Sequence, residues 1–184
     1  MSKFFNLVNP ASPESVDLIV REAAYVNSAT NNRASNSAAI NKVSITNTHA
    51  SNDVKISLYL QQDALTITGA SYNNGQTVAH TASLDYKGNN KVLTGMEVSG
   101  TGITDKYVER ITDTTNFVLN GASTGGALTG QTLTLTNKNY IVNDIVIPAG
   151  VTLVLDDKIT FSLTTHKLVL KKSNTNTTIT VIVN

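Results

Sequence analysis

The stretch Asn143-Asp-Ile-Val-Ile-Pro-Ala-Gly-Val-Thr-Leu-Val-Leu-Asp-Asp157 indicates the fold class, because two β-branched runs flank a Pro-Ala-Gly turn. In the second run, Val151, Leu153 and Leu155 would face one side of a strand and the residues between them the other side. A similar run, Thr178-Ile-Thr-Val-Ile-Val-Asn184, lies further along the chain. These segments predict an all-β protein built as a β-sandwich, of immunoglobulin-like or jelly-roll-like type.

The composition agrees with that prediction and limits the classes of function. Thr occurs 26 times and Asn 21 times in 184 residues, and these residues suit strand faces and turns. Charged residues make up 15%, with a net charge of +1, which argues against a nucleic-acid partner. We interpret Lys167, Lys171 and Lys172 as a solvated strand end and turn. The absence of Cys excludes disulfides and thiolate metal sites.

The sequence also lacks signals for secretion or membrane insertion. Residues 1–8 show no long apolar region followed by a small-residue cleavage site, so we expect no signal peptide. No apolar run approaches the roughly 20 residues that span a bilayer. We therefore expect a soluble protein made in a cytoplasm, with no membrane partner.

The clearest alternation lies between residues 43 and 61. Val43 and Ile45 alternate with polar residues, a turn-like segment follows, and Val54–Gln61 alternates again. This pattern predicts a hairpin with one buried and one wet face. Further strands of the same kind are predicted at 140–147, 151–155, 159–163, 168–170 and 179–183.

The N-terminal third leaves alternatives open. Ser12-Pro13-Glu14 is typical of the start of a short helix reaching Val20. Residues 16–26 fit a strand equally well, and we favour the strand because the neighbouring segments are strands. Residues 27–39 are polar and lack periodicity, which predicts a loop or a weak edge strand.

Residues 65–137 differ in texture from the rest of the chain. This segment holds most of the 11 Gly residues, and turn signals such as Asn73-Asn-Gly75 separate short predicted strands. The short strands are expected at 65–67, 77–79, 96–98, 107–111, 117–119 and 133–135. We therefore predict a small β-domain, 64–137, inserted into a host sandwich formed by 1–63 and 138–184, with an N-terminal arm at about 1–12.

The chain offers little that could carry chemistry. His49, His80 and His166 lie in three separate segments without the spacing of a zinc site. Asp156-Asp157 is typical of a turn after a strand, although these would be the only plausible acids of an enzyme. Gly100-Thr-Gly102 lacks the third Gly and the βαβ unit of a dinucleotide fingerprint. We expect no metal, no cofactor, no catalytic residue and no enzymatic activity.

Two groups of segments carry a family resemblance. The segment Gly95-Met-Glu-Val-Ser-Gly-Thr-Gly-Ile103, followed by 108–111 and 116–119, resembles a small β-module of bacteriophage structural proteins. The stretches 42–48 and 145–153 resemble β-sandwich virion proteins of tailed phages, including those of marine cyanobacteria. The likeness covers about two-thirds of the chain and rests on turn-and-strand patterns.

The resemblance implies a non-enzymatic virion protein, in the head decoration, neck, tail or baseplate, that assembles as a homo-oligomer on other virion proteins. The alternative is a carbohydrate-binding or adhesin-type β-sandwich module on a tail appendage. A sugar-stacking face would then be drawn from Tyr25, Tyr59, Tyr72, Tyr86, Tyr107 and Tyr140. We expect the strand at 179–183 to be an open sheet edge that a partner chain covers, and the apolar residues near the N-terminus to bind a neighbouring protein. The interface is therefore expected to include seven residues. These are Phe4, Phe5, Leu7, Val8, Ile179, Val181 and Val183.

Overall fold

The computed structural model describes residues 2–8, 14–19, 25–26, 33–34, 37–79, 92–113, 115–172 and 177–184. These residues form strands and turns, and no helix occurs among them. The prediction of an all-β, sandwich-like protein is confirmed. The chain divides into two compact units, one formed by 1–61 with 139–184 and the other by 62–138. The sequence-based boundaries of the insertion, 64 and 137, differ from these by two residues and one residue.

The first unit contains the strands that the alternating segments predict, together with short strands near the N-terminus. Their bounds are β1 (Lys3–Val8), β2 (Glu14–Ile19), β3 (Tyr25–Val26), β4 (Arg33–Ala34), β5 (Ser37–Ile40), β6 (Val43–Asn47), β7 (Val54–Gln61), β14 (Lys138–Ile147), β15 (Thr152–Leu155), β16 (Ile159–Ser162), β17 (Lys167–Lys172) and β18 (Thr178–Val183). A first sheet has the order β1-β18-β6-β15, and a second has the order β14-β7-β17-β2. Two small pairs, β16-β5 and β3-β4, complete the described strands of this unit.

The core of the first unit lies between its two large sheets. Ile45, Val181 and their neighbours on the first sheet pack with Ile56, Leu58 and Leu170 of the second. Every one of these side chains is fully buried. The alternation seen in the sequence therefore places the apolar residues of both sheets on facing sides, as expected for a sandwich.

The predicted hairpin between β6 and β7 is wrong. β6 pairs with β18 and β15 in the first sheet, whereas β7 pairs with β17 and β14 in the second. The intervening segment 48–53 therefore crosses from one sheet to the other. Alternation specifies which side of a strand is buried, but it does not specify the partner strand. The side of β7 that points away from the sandwich core is also more buried than predicted, because Ser57 and Tyr59 are both buried.

The N-terminal third contains strands where the structure describes it. Glu14–Ile19 is strand β2, so within this range the strand reading is confirmed over the helix. Ser12 and Pro13, proposed as a helix start, lie outside the described residues, as do 20–24. Within 27–39, β4 and part of β5 are strands, and β5 pairs with β16.

The predicted arm is corrected where it is described. Lys3–Val8 is a strand of the first sheet, paired with β18 over six residues. Its side chain Leu7 belongs to the core of the sandwich. Residues 1 and 9–12 of the proposed arm lie outside the described part of the chain.

The second unit is a closed barrel of six strands. Its strands are β8 (Leu65–Asn73), β9 (Thr77–Ala79), β10 (Glu97–Gly100), β11 (Ile103–Ile111), β12 (Asn116–Leu119) and β13 (Ala127–Thr136). The order around the barrel is β10-β11-β12-β9-β8-β13, and β13 pairs back with β10. A separate apolar core fills it, with Phe117, Leu119, Leu133 and Leu135 fully buried.

Three barrel strands are longer than the short segments predicted from the sequence. β8, β11 and β13 each contain nine or ten residues. Gly69 and Gly130 lie inside β8 and β13 with φ of 72° and 67°, beside register shifts in the β8–β13 pairing. These residues therefore form β-bulges within continuous strands, where the sequence suggested turns between separate strands.

Candidate functional site

The outer face of the first sheet is partly apolar. One row of cross-strand neighbours crosses all four strands in the order Phe4, Ile182, Ser44, Val154. Phe4 is 67% exposed, and Val154 and Ile182 are also classed as exposed apolar side chains. Alternation forces this arrangement, because the residues between them in each strand point into the core.

A second row lies beside the first and is polar without charge. It crosses the sheet in the order Asn6, Thr180, Thr46, Thr152. The hydroxyl oxygens of Thr46 and Thr152 are 2.8 Å apart and share a hydrogen bond. We call these eight residues the outer face. It combines apolar contact area with short hydroxyl side chains, which lose little rotamer entropy on being covered.

Further exposed apolar residues lie where the second sheet turns into the first. Ile145 and Val146 belong to the edge strand β14, and Val151 precedes the edge strand β15. All three are at least 40% exposed. Asp144 sits next to them at φ 52°, an unusual conformation for a non-Gly residue, and its backbone N–H donates to the Ser57 hydroxyl. The stretch quoted first is thus a structural corner that presents apolar side chains outward.

The seven residues predicted for an interface occupy different environments. Ile179, Val181 and Val183 are buried in the sandwich core, as is Leu7, and Phe5 is partly buried against the same core. Their side chains are therefore internal contacts of this fold. Phe4 is exposed on the outer face, and the side chain of Val8 lies outside the described part of the structure.

The expectation that the last strand is an open sheet edge is wrong. β18 is hydrogen-bonded on both sides, to β1 and to β6. The edge strands of the first sheet are β1 and β15. The two predicted interface segments, near residues 4–8 and 179–183, are therefore partners of each other.

The polar residues considered for chemistry are dispersed in the described structure. Asp156 and Asp157 are both exposed after β15. The His49 ring nitrogen Nδ1 accepts the backbone N–H groups of Ser51 and Asn52, which shapes the loop. Within the described ranges, no group of three or more His, Asp or Glu residues could hold a metal ion. His80 lies outside those ranges.

Lys172 is the chemically notable group that sequence reasoning missed. Its side chain is fully buried, not solvated as predicted, and the ammonium donates to the Thr177 carbonyl at 2.6 Å. Lys172 faces inward because it has the same parity along β17 as Leu168 and Leu170, and Ile56 lies opposite it. That parity was the available signal, and the positive charge outweighed it in the sequence interpretation.

The glycines of the motif at residues 95–103 have structural roles in the barrel. Gly95 and Gly102 adopt φ of 85° and 67°, and a Cβ on Gly102 would lie 1.9 Å from the Thr124 carbonyl oxygen. A Cβ on Gly100 would lie 2.5 Å from the Leu133 side chain. Ile103, which ends the motif, is buried in the barrel core. The motif therefore encodes the turn between β10 and β11 and its close backbone approach to the 121–126 loop.

An open cleft of about 420 Å³ lies at one end of the barrel, beside the turn between β8 and β9. Asn73, Gln76, Thr77 and Leu128 are among its lining residues, and Tyr72 forms part of its floor. The Tyr72 hydroxyl donates to the Thr101 carbonyl, and burial raises the pKa of this phenol. No described carboxylate, imidazole or ammonium group lines the cleft.

The tyrosines do not combine into one stacking face within either unit. In the sandwich, the rings of Tyr59 and Tyr140 lie 5.2 Å apart, and only Tyr140 is exposed. In the barrel, Tyr107 is exposed and Tyr72 is buried. The side chains of Tyr25 and Tyr86 lie outside the described structure.

Comparisons of the chain with protein-family models, with curated proteins and with solved structures found no match in any of the three. Nowhere in the described ranges is there a helix of the length and hydropathy needed to cross a membrane.

Proposed function

We propose that the chain is a non-enzymatic structural component of a tailed-phage particle. In this proposal, copies of the chain form a homo-oligomer and dock on other virion proteins of the capsid, neck or tail after synthesis in the host cytoplasm. The observation that carries the proposal is the outer face of the first sheet, with Phe4, Ile182 and Val154 exposed in one row.

A row of this kind favours a protein partner on physical grounds. Single exposed apolar residues are ordinary, but apolar residues grouped on one flat face are typical of protein–protein contacts. The centres of such contacts are depleted in charge and enriched in aromatic residues. The eight residues of the outer face include one aromatic residue, Phe4, and none of the eight is charged.

The corner near Ile145 and Val151 supports the same proposal. It adds exposed apolar side chains at the edge strands β14 and β15 of the sandwich. Edge strands present unpaired backbone groups that a neighbouring chain can satisfy. The phage assignment itself rests on the resemblance of residues 95–119, 42–48 and 145–153 to virion proteins.

The first test is composition of the particle. Mass spectrometry of purified particles from a phage that encodes the chain should detect it as a stoichiometric component. Absence of the chain from particles, together with a monomeric mass by light scattering, would contradict the proposal.

The second test is directed at the outer face. Ile182→Lys combined with Val154→Lys should abolish loading onto particles, because two charges would be buried in the contact. The melting temperature should change little, since both side chains already face solvent. The matched control is Tyr107→Lys, an exposed aromatic position on the barrel. Loading of the double variant at the level of the control would contradict the assignment of the outer face.

A further inference from the structure

Strand β1 is attached to the sandwich on one side only. It is the terminal strand of the order β1-β18-β6-β15, and its described strand pairing is with β18. Of its described side chains, Leu7 is buried and Phe5 is partly buried, whereas the others are exposed. β1 therefore contributes less to the core than the inner strands, so it belongs to the least stable part of the sheet.

Leaving the position of β1 unoccupied would destabilise the sandwich. Removing β1 would take Phe5 and Leu7 away from the core, where they lie opposite the fully buried Val181 and Ile179. It would also leave the backbone groups of β18 unpaired along one side. β18 contains no Lys, Arg or Pro that would discourage strand addition there.

The register defines what fits this site. Phe5 lies opposite Val181, and Leu7 lies opposite Ile179, with the polar pair Asn6 and Thr180 between them on the outer side. Any segment that replaces β1 must repeat this alternation of inward apolar and outward polar residues. A second copy of the same chain carries that segment and can supply it at the same register.

We propose that β1 is exchanged between copies, so that β1 of one copy pairs with β18 of its neighbour. The inference deepens the proposed function and rests on it, because it names the contact through which the oligomer forms. It also unites the predicted interface segments near residues 4–8 and 179–183, whose side chains become intermolecular contacts without leaving the core. A strand lost by one copy and gained by another preserves the number of core contacts.

The chain contains no Cys, which makes the exchange directly testable by disulfide trapping. The Asn6→Cys and Thr180→Cys variants are prepared as separate proteins. They are mixed at a temperature at which β1 detaches from β18 and are then oxidised. The two positions are cross-strand partners, within the Cα separation that a disulfide requires. We expect a covalent heterodimer. The matched control replaces Thr180→Cys with Thr178→Cys, which lies opposite Val8 and is therefore two residues out of register.

The ratio of the two heterodimer yields distinguishes strand exchange from random collision between surface cysteines. A heterodimer yield at least ten times that of the control supports the exchange. Equal yields for the two mixtures, or no heterodimer in either, overturn it.

A double variant distinguishes failure of this inference from failure of the proposed function. Asn6→Cys with Thr180→Cys in one chain, oxidised at low concentration, locks β1 onto its own β18. We expect the locked protein to be monomeric by light scattering, and reduction to restore the oligomer. An oligomer formed by the locked protein would overturn the exchange while leaving the proposed function in place. A heterodimer formed by a chain that is absent from particles would leave the exchange and remove the proposed function.

Discussion

The sheets of the sandwich have open edges, whereas the sheet of the barrel is closed. The six strands of the barrel close on themselves, so every one of them has two neighbours. The two large sheets of the sandwich instead end in four edge strands, β1, β15, β14 and β2. Seven of the eight large exposed apolar residues among those described also belong to the sandwich. Association is therefore expected at the sandwich, where both unpaired backbone and apolar surface occur.

The two units also depend on different features of the sequence. The sandwich depends on alternation, with apolar residues of two sheets facing each other. The barrel depends in addition on glycines at positive φ, which lie in its turns and inside its longest strands. A charged substitution in the core of the sandwich should therefore unfold the sandwich first, and a substitution at a glycine turn of the barrel should unfold the barrel first.

The largest effect is expected for Ile56→Asp in the core of the sandwich. Ile56 is fully buried, so the substitution buries an unpaired carboxylate and should lower the free energy of unfolding by about 4 kcal/mol. Chemical denaturation measures this change, and hydrogen exchange should show barrel amides still protected when sandwich amides have lost protection.

The matched control is the neighbouring position. Lys55 is exposed and forms an ion pair with Asp144 at 3.6 Å. Lys55→Asp should cost about 1 kcal/mol or less, because exposed ion pairs contribute little. Equal effects at the two positions would mean that the register of β7 is wrong.

A smaller effect is expected for Gly102→Ala in the barrel. The added Cβ would meet the Thr124 carbonyl oxygen at 1.9 Å, and φ is 67°. Displacement of the 121–126 loop and backbone strain should together cost about 3 kcal/mol. Gly126→Ala is the control, since φ is 87° there but nothing lies within 4 Å of the added atom. We expect about 1 kcal/mol for the control, from backbone strain alone. Similar losses for both variants in thermal unfolding would refute the close approach at Gly102.

The smallest effect is expected for Tyr72→Phe. Its dependence on pH provides a further comparison of the barrel with the sandwich. Loss of the hydrogen bond to the exposed Thr101 should cost about 1 kcal/mol. Burial raises the pKa of the Tyr72 phenol, so the folded state favours the neutral form. The associated stability is present below the ordinary tyrosine pKa of about 10 and is lost as pH rises through the raised value.

Measurement across that range separates the two units. Barrel stability of the wild type should fall more steeply above about pH 10 than that of Tyr72→Phe. Sandwich stability should be the same in both proteins. A parallel pH dependence of the two barrels would contradict the role of Tyr72.

Sequence patterns predicted which side of a strand is buried more accurately than they predicted which strands pair with each other. The inward residues Val54, Ile56 and Leu58 are all buried, as alternation required. The partner of that strand could not be predicted, because a strand with one apolar side fits either sheet of a sandwich. Long-range pairing depends on contacts between residues distant in sequence, such as β7 with β17.

Prediction of the candidate site failed for a related physical reason. The outer face contains residues from four strands, so it exists only once the order β1-β18-β6-β15 is known. Phe4 was identified from its position near an apolar terminus, whereas Ile182 and Val154 were read simply as strand residues. The strands predicted at 65–67 and 133–135 were too short, because Gly69 and Gly130 adopt positive φ in bulges inside β8 and β13.

The two ends of the barrel segment meet at a double hydrogen bond. The backbone N–H of Gln62 donates to the Asn137 carbonyl, and the Asn137 amide donates to the Gln62 side chain, both at 3.2 Å. Because its ends lie this close, the segment can be inserted into a host chain with little displacement of the host residues on either side. The closeness of these ends would therefore favour gain, loss or transfer by recombination of the DNA that encodes residues 62–138. We also expect the barrel to tolerate circular permutation, with a short linker joining residues 62 and 137 and new termini opened in one of its turns.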